Sequence, residues 1–483
     1  MGQHRVPVPE SRAYIDGQWR TSSRTEPIRN PADGAIVSTV HQSSIADAQA
    51  AVRAADAAWR EWRRRPAHER SQILDRIAQA MADRAEDMAC QMTAETGKPL
   101  TEARTEVARS LSTMRISAEE AKRIAGEMVP MDAVAPGAGK LGFTLRVPVG
   151  VVAAVTPFNA PLNTVCHKLG PALAAGNTLV LKPHPHGAGI AVLLAEIAEQ
   201  VGLPAGVFNV VHGGPDVGRA LTTDPAVKFV NFTGSGRVAE AILGEIGLKR
   251  TLLELGGNAP TIVHQDADLA VAVKQCAEAA FGLSGQSCIS TQRIFVHEDV
   301  RKEFTANLVE AATSRRPGDP WDSKTGVGPL IDEASAIRIE QWVSEAVDAG
   351  AELLCGGARE GAFYEPTVLA NVPPDQKVCC EEVFGPVVIL VPYTEIDEAI
   401  AQANDTPWGL KAGVFTGSLD VALKAARELE YGTVNVNGAS RSRVDQEPSG
   451  GVKQSGWGKE GPRYAILEMT DERMISIASS GRA

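Results

Sequence analysis

The chain lacks most of what would mark a secreted, membrane-bound or nucleic-acid-binding protein. Its seven cysteines are an odd number, with no CxxC pair and no framework spacing. That argues against a disulfide scaffold and a thiolate zinc site, so no metal is expected and a reducing, cytoplasmic setting is. Positive charge is in deficit: 48 Lys and Arg against 59 Asp and Glu, a net charge of −11 and a pI near 5.5. Nucleic acid and anionic membrane both want clustered cations, so neither is an expected partner. The longest apolar runs, such as Val147–Val155, are too short to span a bilayer. The start, MGQHRVPVPESRAY, has no apolar signal-peptide core, and Val6 breaks a myristoylation pattern at Gly2. No internal repeat and no low-complexity tract is present. What remains is an ordinary globular composition, 44% hydrophobic and 22% charged, over 483 residues. At roughly 150 residues per domain, that allows two to four domains with sizeable cores.

The first third reads as helical. Ser44 and Asp47 form a capping box before an Ala-rich stretch reaching Trp62. Ile73, Ile77, Met81 and Met88 share one helical face, predicting a single helix that stops at Gly97. A third helix is expected from about Thr101 to Gly126, followed by a Pro/Gly-rich connector or edge hairpin at 127–139. Then the rhythm changes. VGVVAAVTP (149–157), TLVLKP (178–183), VFNVV (207–211), KFVNFTG (228–234) and TLLEL (251–255) are short apolar runs separated by helical patterns. Such alternation predicts a parallel sheet in a doubly wound α/β domain. A second set runs from APTIVH (259–264) to about residue 437 and predicts a second α/β domain.

A GxGxxG element is missing where a nucleotide-binding domain often has one. The nearest substitute is Gly234-Ser235-Gly-Arg-Val-Ala239, after a predicted strand and opening a helix. Backbone N–H groups there suit a phosphate; the same residues also read as an ordinary strand-to-helix turn. Lys182 ends another strand, where ligands of open parallel sheets sit, though a solvated loop lysine looks the same in sequence. Cys288, in the Gly/Ser-rich GQSC, stands out from inert cysteines only through its company. Glu254 is a carboxylate in an otherwise apolar Leu/Gly strand end, where an unpaired charge is costly. Asn159 follows the first central strand, and Glu382 lies in EEVFGP.

These segments resemble the aldehyde dehydrogenase superfamily. Seven of its motifs occur in order: TPFNAP (156–161), LKP (181–183), FTGS (232–235), LELGGNAP (253–260), GQSC (285–288), EEVFGPV (381–387) and GGVKQSGWGKEG (450–461). They cover nearly the whole chain. The resemblance implies NAD(P)-dependent oxidation of an aldehyde to a carboxylic acid. In it Cys288 is the nucleophile, passing through a thiohemiacetal and a thioester. The Asn159 amide and the Cys288 N–H hold the oxyanion, and Glu254 is the general base for the hydrolytic water. Lys182 and Glu382 match ribose contacts, Gly234 and Ser235 the pyrophosphate turn, and Phe384 and Phe158 residues near the nicotinamide. A glutamate at 254 favours free acid over acyl transfer to coenzyme A. An inert scaffold of the same fold should lack the nucleophile, base or donor, and all three are present. Esterase activity of Cys288 is expected only as a side reaction.

The pattern is also broken in places. The glutamate that binds the adenosine ribose in many NAD-preferring members falls at Pro185, which leaves NAD or NADP open; His184 and His186 flank it. Ala160, Asn163, Thr164 and His167 would lie along the substrate tunnel, with Asn163 and His167 an i, i+4 pair giving it a polar face. Ser287 stands where relatives that take carboxylate- or phosphate-bearing aldehydes place an arginine, which argues against such substrates. Arg441 and Arg443 read either as the pocket mouth or as a solvated loop pair. The implied architecture is a Rossmann-like NAD(P)-binding domain (1–126 and 146–255) and an α/β catalytic domain (256–447). A small β oligomerisation element (127–145 and 462–483) would make a homodimer or homotetramer, with RMISIAS (473–479) extending a sheet between subunits.

Overall fold

The structure, a computed structural model, describes residues 6–478. Gly2 and Ser479 of the expectations above therefore lie outside the described residues. Among them, the α/β architecture with two mainly parallel sheets matches the expected fold class.

The continuously apolar runs become the central strands of an eight-stranded sheet. Its parallel heart runs Arg250–Glu254, Val227–Thr233, Val151–Val155, Thr178–Lys182, Phe208–Val210 in that spatial order. Antiparallel strands close both flanks: Gly456–Trp457 beside Arg250–Glu254, and Ala13–Ile15 beside Phe208–Val210. Helices cover both faces, so strand residues such as Val152, Ala153, Val180 and Leu181 are fully buried with no polar alternation. The second sheet has seven strands. Thr367–Ala370, Val387–Tyr393, Thr291–His297, Ala259–Val263, Lys411–Phe415 and Thr433–Val436 run parallel, with Glu352–Cys355 antiparallel at the edge.

A third, antiparallel sheet joins Thr470–Ala478, Lys140–Pro148 and Met128–Val129. The first two pair along their whole length, and Leu141, Leu145, Met474 and Ile477 stay exposed on them.

Local signals decide most helix ends. The Ser44–Asp47 capping box forms as expected before the Ile45–Trp62 helix, and Gly97 adopts the left-handed conformation (φ 69°) that ends the Ala85–Thr96 helix. Two expectations need correction. The single helix through Ile73 and Met88 is two, Ala67–Asp83 and Ala85–Thr96, broken at Arg84 (φ −111°, ψ 21°). The Arg84 guanidinium binds Asp87 and Glu196 across the break. The third helix, Leu100–Glu120, stops six residues short of Gly126.

Candidate active site

The predicted catalytic groups converge from both sheets. Asn159 follows the carboxyl end of Val151–Val155, and Glu254 ends Arg250–Glu254 one strand from it across Val227–Thr233. Cys288 precedes Thr291–His297, at the amino end of the second sheet. The turn that delivers Cys288 is conformationally costly. Leu283 and Ser284 both have φ 55°, and Gly285 follows at 69°. The Leu283 N–H donates to the Glu102 carboxylate at 2.9 and 3.0 Å, and Ser284 Oγ donates to the Gly328 carbonyl at 2.8 Å. The chain thus holds strained backbone immediately before the thiol, as preorganised sites do.

Cys288 is half-buried. Burial first, then the nearby Glu254 and Glu382 carboxylates, push its thiol up to about 12, against the pull of Arg443. At rest it is a protonated thiol. Asn159 Nδ2 donates one hydrogen to the Gln286 carbonyl at 3.0 Å and keeps a second unspent. Among the hydrogen bonds of the described residues, none engages the Cys288 N–H. Two donors therefore remain unspent, the second Asn159 amide hydrogen and the Cys288 N–H. Glu254 is buried, and its Oε1 has no hydrogen-bond partner. Burial, reinforced by Glu460, raises its pKa; Arg443, Lys168 and Lys459 oppose the shift. A buried carboxyl oxygen without a partner costs free energy unless a water or ligand completes it.

Behind Glu254 stands a cluster that sequence reasoning missed. Lys168, fully buried in the Asn163–Ala175 helix, donates to Asn231 (2.9 Å) and Thr233 (2.7 Å) and pairs with Glu460 at 3.3 Å. Glu460 also pairs with Arg443 at 3.1 Å. The available signal was a lysine inside an apolar helical run, which must find a partner.

Several predicted cofactor groups also stand free. Ser235 occupies the N-cap of the Gly236–Ile246 helix, but its hydroxyl makes no capping bond. Open space surrounds Gly236, while a Cβ on Gly234 would strike the Phe232 ring at 2.6 Å. The Gly234 N–H ties this turn to the Glu254 carbonyl at 3.0 Å. Lys182 ends its strand with its stem against Gly218; burial lowers its pKa, and Asp216 opposes. Glu382 accepts from the Gly257 N–H at 2.9 Å, and burial lifts it to about 7 despite that bond and Arg338. Phe158 and Phe384 meet edge to face at 5.9 Å, with Phe384 at φ 49°. His184 packs on Phe158 at 5.3 Å, and burial drives it down to about 3, so it carries no charge. Unspent donors at an open helix N-terminus fit the phosphates of a dinucleotide.

The substrate candidates separate. Ser287 lines a cavity of about 10 Å³ with Glu382 and Phe384, on the expected cofactor side. Asn163 and His167 are buried and turned to Asp445, at 3.2 and 3.3 Å. A cavity of about 20 Å³ touches Phe158, Asn159, Leu283 and Gln286. A groove of about 1270 Å³ lies around Arg29–Gly34 and Arg315–Asp319 and includes none of the predicted catalytic residues. Neither Arg441 nor Arg443 is a solvated loop residue. Arg441 donates to the Glu278 carbonyl at 3.1 Å, and Arg443 lies between Glu460 and His167.

A model of the aldehyde dehydrogenase family matches residues 19–475. The 3-sulfolactaldehyde dehydrogenase of Priestia megaterium is 46% identical, over 96% of this chain and 97% of its own length. The NADP(+) succinate-semialdehyde dehydrogenase of Escherichia coli is 39% identical, over 96% and 97%. Among solved structures, aldehyde dehydrogenase 21 of Physcomitrella patens, in complex with the product succinate, superposes with a TM-score of 0.96 at 36% identity, covering 99% of this chain and 100% of that one.

Proposed function

This chain belongs to the aldehyde dehydrogenase family, and from that premise we propose that it oxidises a short aldehyde bearing an anionic group to the corresponding acid, with NAD or NADP. The observation that carries the reaction is the buried, unpartnered Glu254 Oε1 in the electrostatic neighbourhood of the Cys288 thiol. The Cys288 thiol loses its proton to solvent as the sulfur adds to the aldehyde carbon. The spare Asn159 amide hydrogen and the Cys288 N–H hold the resulting oxyanion. The bound nicotinamide supplies the acceptor for the hydride that leaves the carbon. The Cys288 thioester is then cleaved by a water that gives its proton to Glu254, releasing acid and thiol. Ser235 and the Gly236 helix end would hold the pyrophosphate, Lys182 and Glu382 the two riboses, and Phe158 with Phe384 the nicotinamide face. Residues 1–126 and 146–255 serve as the cofactor domain and 256–447 as the catalytic domain in this reading.

The anionic class comes from the relatives. Two named above take sulfolactaldehyde and succinate semialdehyde, which outweighs the argument from Ser287. The exposed apolar residues of the antiparallel sheet, Leu141, Leu145, Met474 and Ile477, support homo-oligomerisation, and light scattering would read the mass. Among the described residues no helix is long and apolar enough to cross a membrane, and a cytoplasmic location fits the free cysteines.

The test supplies purified enzyme with succinate semialdehyde and neutral aldehydes, NAD and NADP separately, and identifies the product. Cofactor reduction with free acid formed is the expected result. Absence of reduction with every pair, or an acyl-coenzyme A product, overturns the reading.

A further inference from the structure

We propose that Arg443 is the subsite for the anionic group of the substrate, a carboxylate or sulfonate, and so sets specificity. This rests on the reaction proposed above and adds the residue that selects the aldehyde.

An arginine carries five N–H donors. In Arg443 only Nη2 is spent, on Glu460 Oε2 at 3.1 Å; His167 Nε2 lies 3.3 Å from the same nitrogen but gives its hydrogen to Asp445. Nε is buried with no partner. Nη1 makes no bond among the described residues, and 15% of the side chain remains accessible. A buried donor left open is costly, and a planar guanidinium is the group best matched to an oxyanion.

The side chain is fixed rather than searching. Lys411 Nζ and Asn435 Nδ2 both donate to the Ser442 carbonyl, at 3.2 Å each, and Lys411 pairs with Glu447. The Val444 N–H also donates to Glu447, at 3.3 Å. These contacts pin the loop on either side of Arg443. His167 is held in turn by Asp445, which takes the Arg109 guanidinium at 2.7 Å. The open donors of Arg443 are thus presented in one orientation.

Charge accounting agrees. Lys168 and Arg443 face one counterion, Glu460, while Arg109 and Asp445 cancel each other. Burial, with Arg443, lowers the pKa of His167, and burial favours the neutral form of Glu254. While Glu254 is protonated, the cluster carries one positive charge more than its carboxylates match, in the electrostatic neighbourhood of Cys288, and one anionic group would neutralise it. Arg441 also spends one nitrogen, on the Glu278 carbonyl, but none of its donors is a buried, unpartnered one among the described residues, and its charge is not among those acting on Cys288.

The experiment compares kcat/KM for succinate semialdehyde and butanal, which have the same carbon count, in the full-length wild type, Arg443→Met and Arg443→Lys. It also measures calorimetric binding of succinate and of propane-1-sulfonate. The ratio of anionic to neutral kcat/KM should fall by about 100-fold in Arg443→Met and by roughly 10-fold in Arg443→Lys, which keeps the Glu460 pair but loses the fork. Succinate binding should weaken in parallel. Competition by propane-1-sulfonate extends the subsite to sulfonates; its failure restricts the subsite to carboxylates. An unchanged ratio, with both aldehydes falling equally, would make Arg443 a mere counterion of Glu460 and overturn the proposal. So would a wild type without preference for the anionic aldehyde. If neither aldehyde is oxidised, the reaction itself was misread, and succinate binding still decides: loss in the variants upholds the subsite, unchanged binding overturns it.

Discussion

Two arginines of the second half of the chain show how differently the same side chain is used. Arg293, on the Thr291–His297 strand, has no free donor group. Its Nε binds Asn258 Oδ1 at 2.7 Å, Nη1 binds the Gln402 carbonyl at 3.0 Å, and Nη2 reaches the Asn258 and Ala403 carbonyls and the Tyr431 hydroxyl. It joins three separate chain segments at the start of the second sheet. Arg443 spends one nitrogen and leaves two open. Saturation marks a residue whose work is finished when the chain folds; an open, buried donor marks one whose partner arrives later. Glu254 Oε1 and Cys288 fall on the same side of this division as Arg443.

The largest effect should come from the thiol. Cys288→Ala should lose more than about 1,000-fold of cofactor reduction, measured by absorbance, while the thermal midpoint moves little. Activity surviving in that variant would break the division at its centre. Glu254→Gln should follow, at roughly 100- to 10,000-fold in turnover. It should still release about one equivalent of reduced cofactor in a burst before stalling as the thioester. The base must be unprotonated to act, and burial raises its pKa. The wild-type rate should therefore climb with pH over a range displaced above that of an ordinary carboxylate, and the Gln variant should lose that limb. A variant with no burst would place Glu254 before hydride transfer.

Arg293→Met tests the other half of the comparison. Leaving the Asn258, Gln402, Ala403 and Tyr431 groups without their donor should cost about 3 kcal/mol or more of unfolding free energy, read from urea denaturation. The succinate semialdehyde to butanal ratio should not move in the protein that remains folded. A large shift in that ratio would show that saturation is no guide to function.

The sequence displayed this division unevenly. Apolar β-branched runs such as Val151–Val155 announced the eight-stranded sheet, because a strand buried on both faces can hold little else. The break at Arg84 was hidden, since Met81 and Met88 are two full turns apart and keep the same face whether or not the helix is continuous. Asn159, Glu254 and Cys288 were legible through seven local motifs in order. The partners that set their environment were not, because those pairings cross the chain: Lys168 meets Glu460 292 residues away, and His167 meets Arg443 276 residues away. The surroundings of Ser287 were hidden for the same reason. Its neighbours in space are Glu382 and Phe384, and nothing adjacent in sequence says so.

The smallest expected effect lies at Asp445, which connects the two behaviours. It is saturated, taking bonds from Arg109, Asn163 and His167, yet it serves an unsaturated neighbour by orienting His167 against Arg443. Burial works against its charge, but His167 and Arg109 outweigh burial and hold its carboxyl far below the usual range. A depressed folded pKa means that the carboxylate stabilises the fold above the unfolded value, and that the contribution is lost as pH falls toward the folded one. Asp445→Asn should therefore cost about 1–3 kcal/mol at pH 7. Below pH of about 4 the gap to wild type should narrow, because there the unfolded carboxyl takes up its proton. Urea unfolding at pH 7 and pH 3 reads both. A gap that stays constant would assign the loss to packing rather than charge. If stability falls as expected while the anionic-to-neutral ratio holds, Arg443 keeps its orientation without His167 being fixed, and the loop anchors at Ser442 and Glu447 are sufficient to aim it.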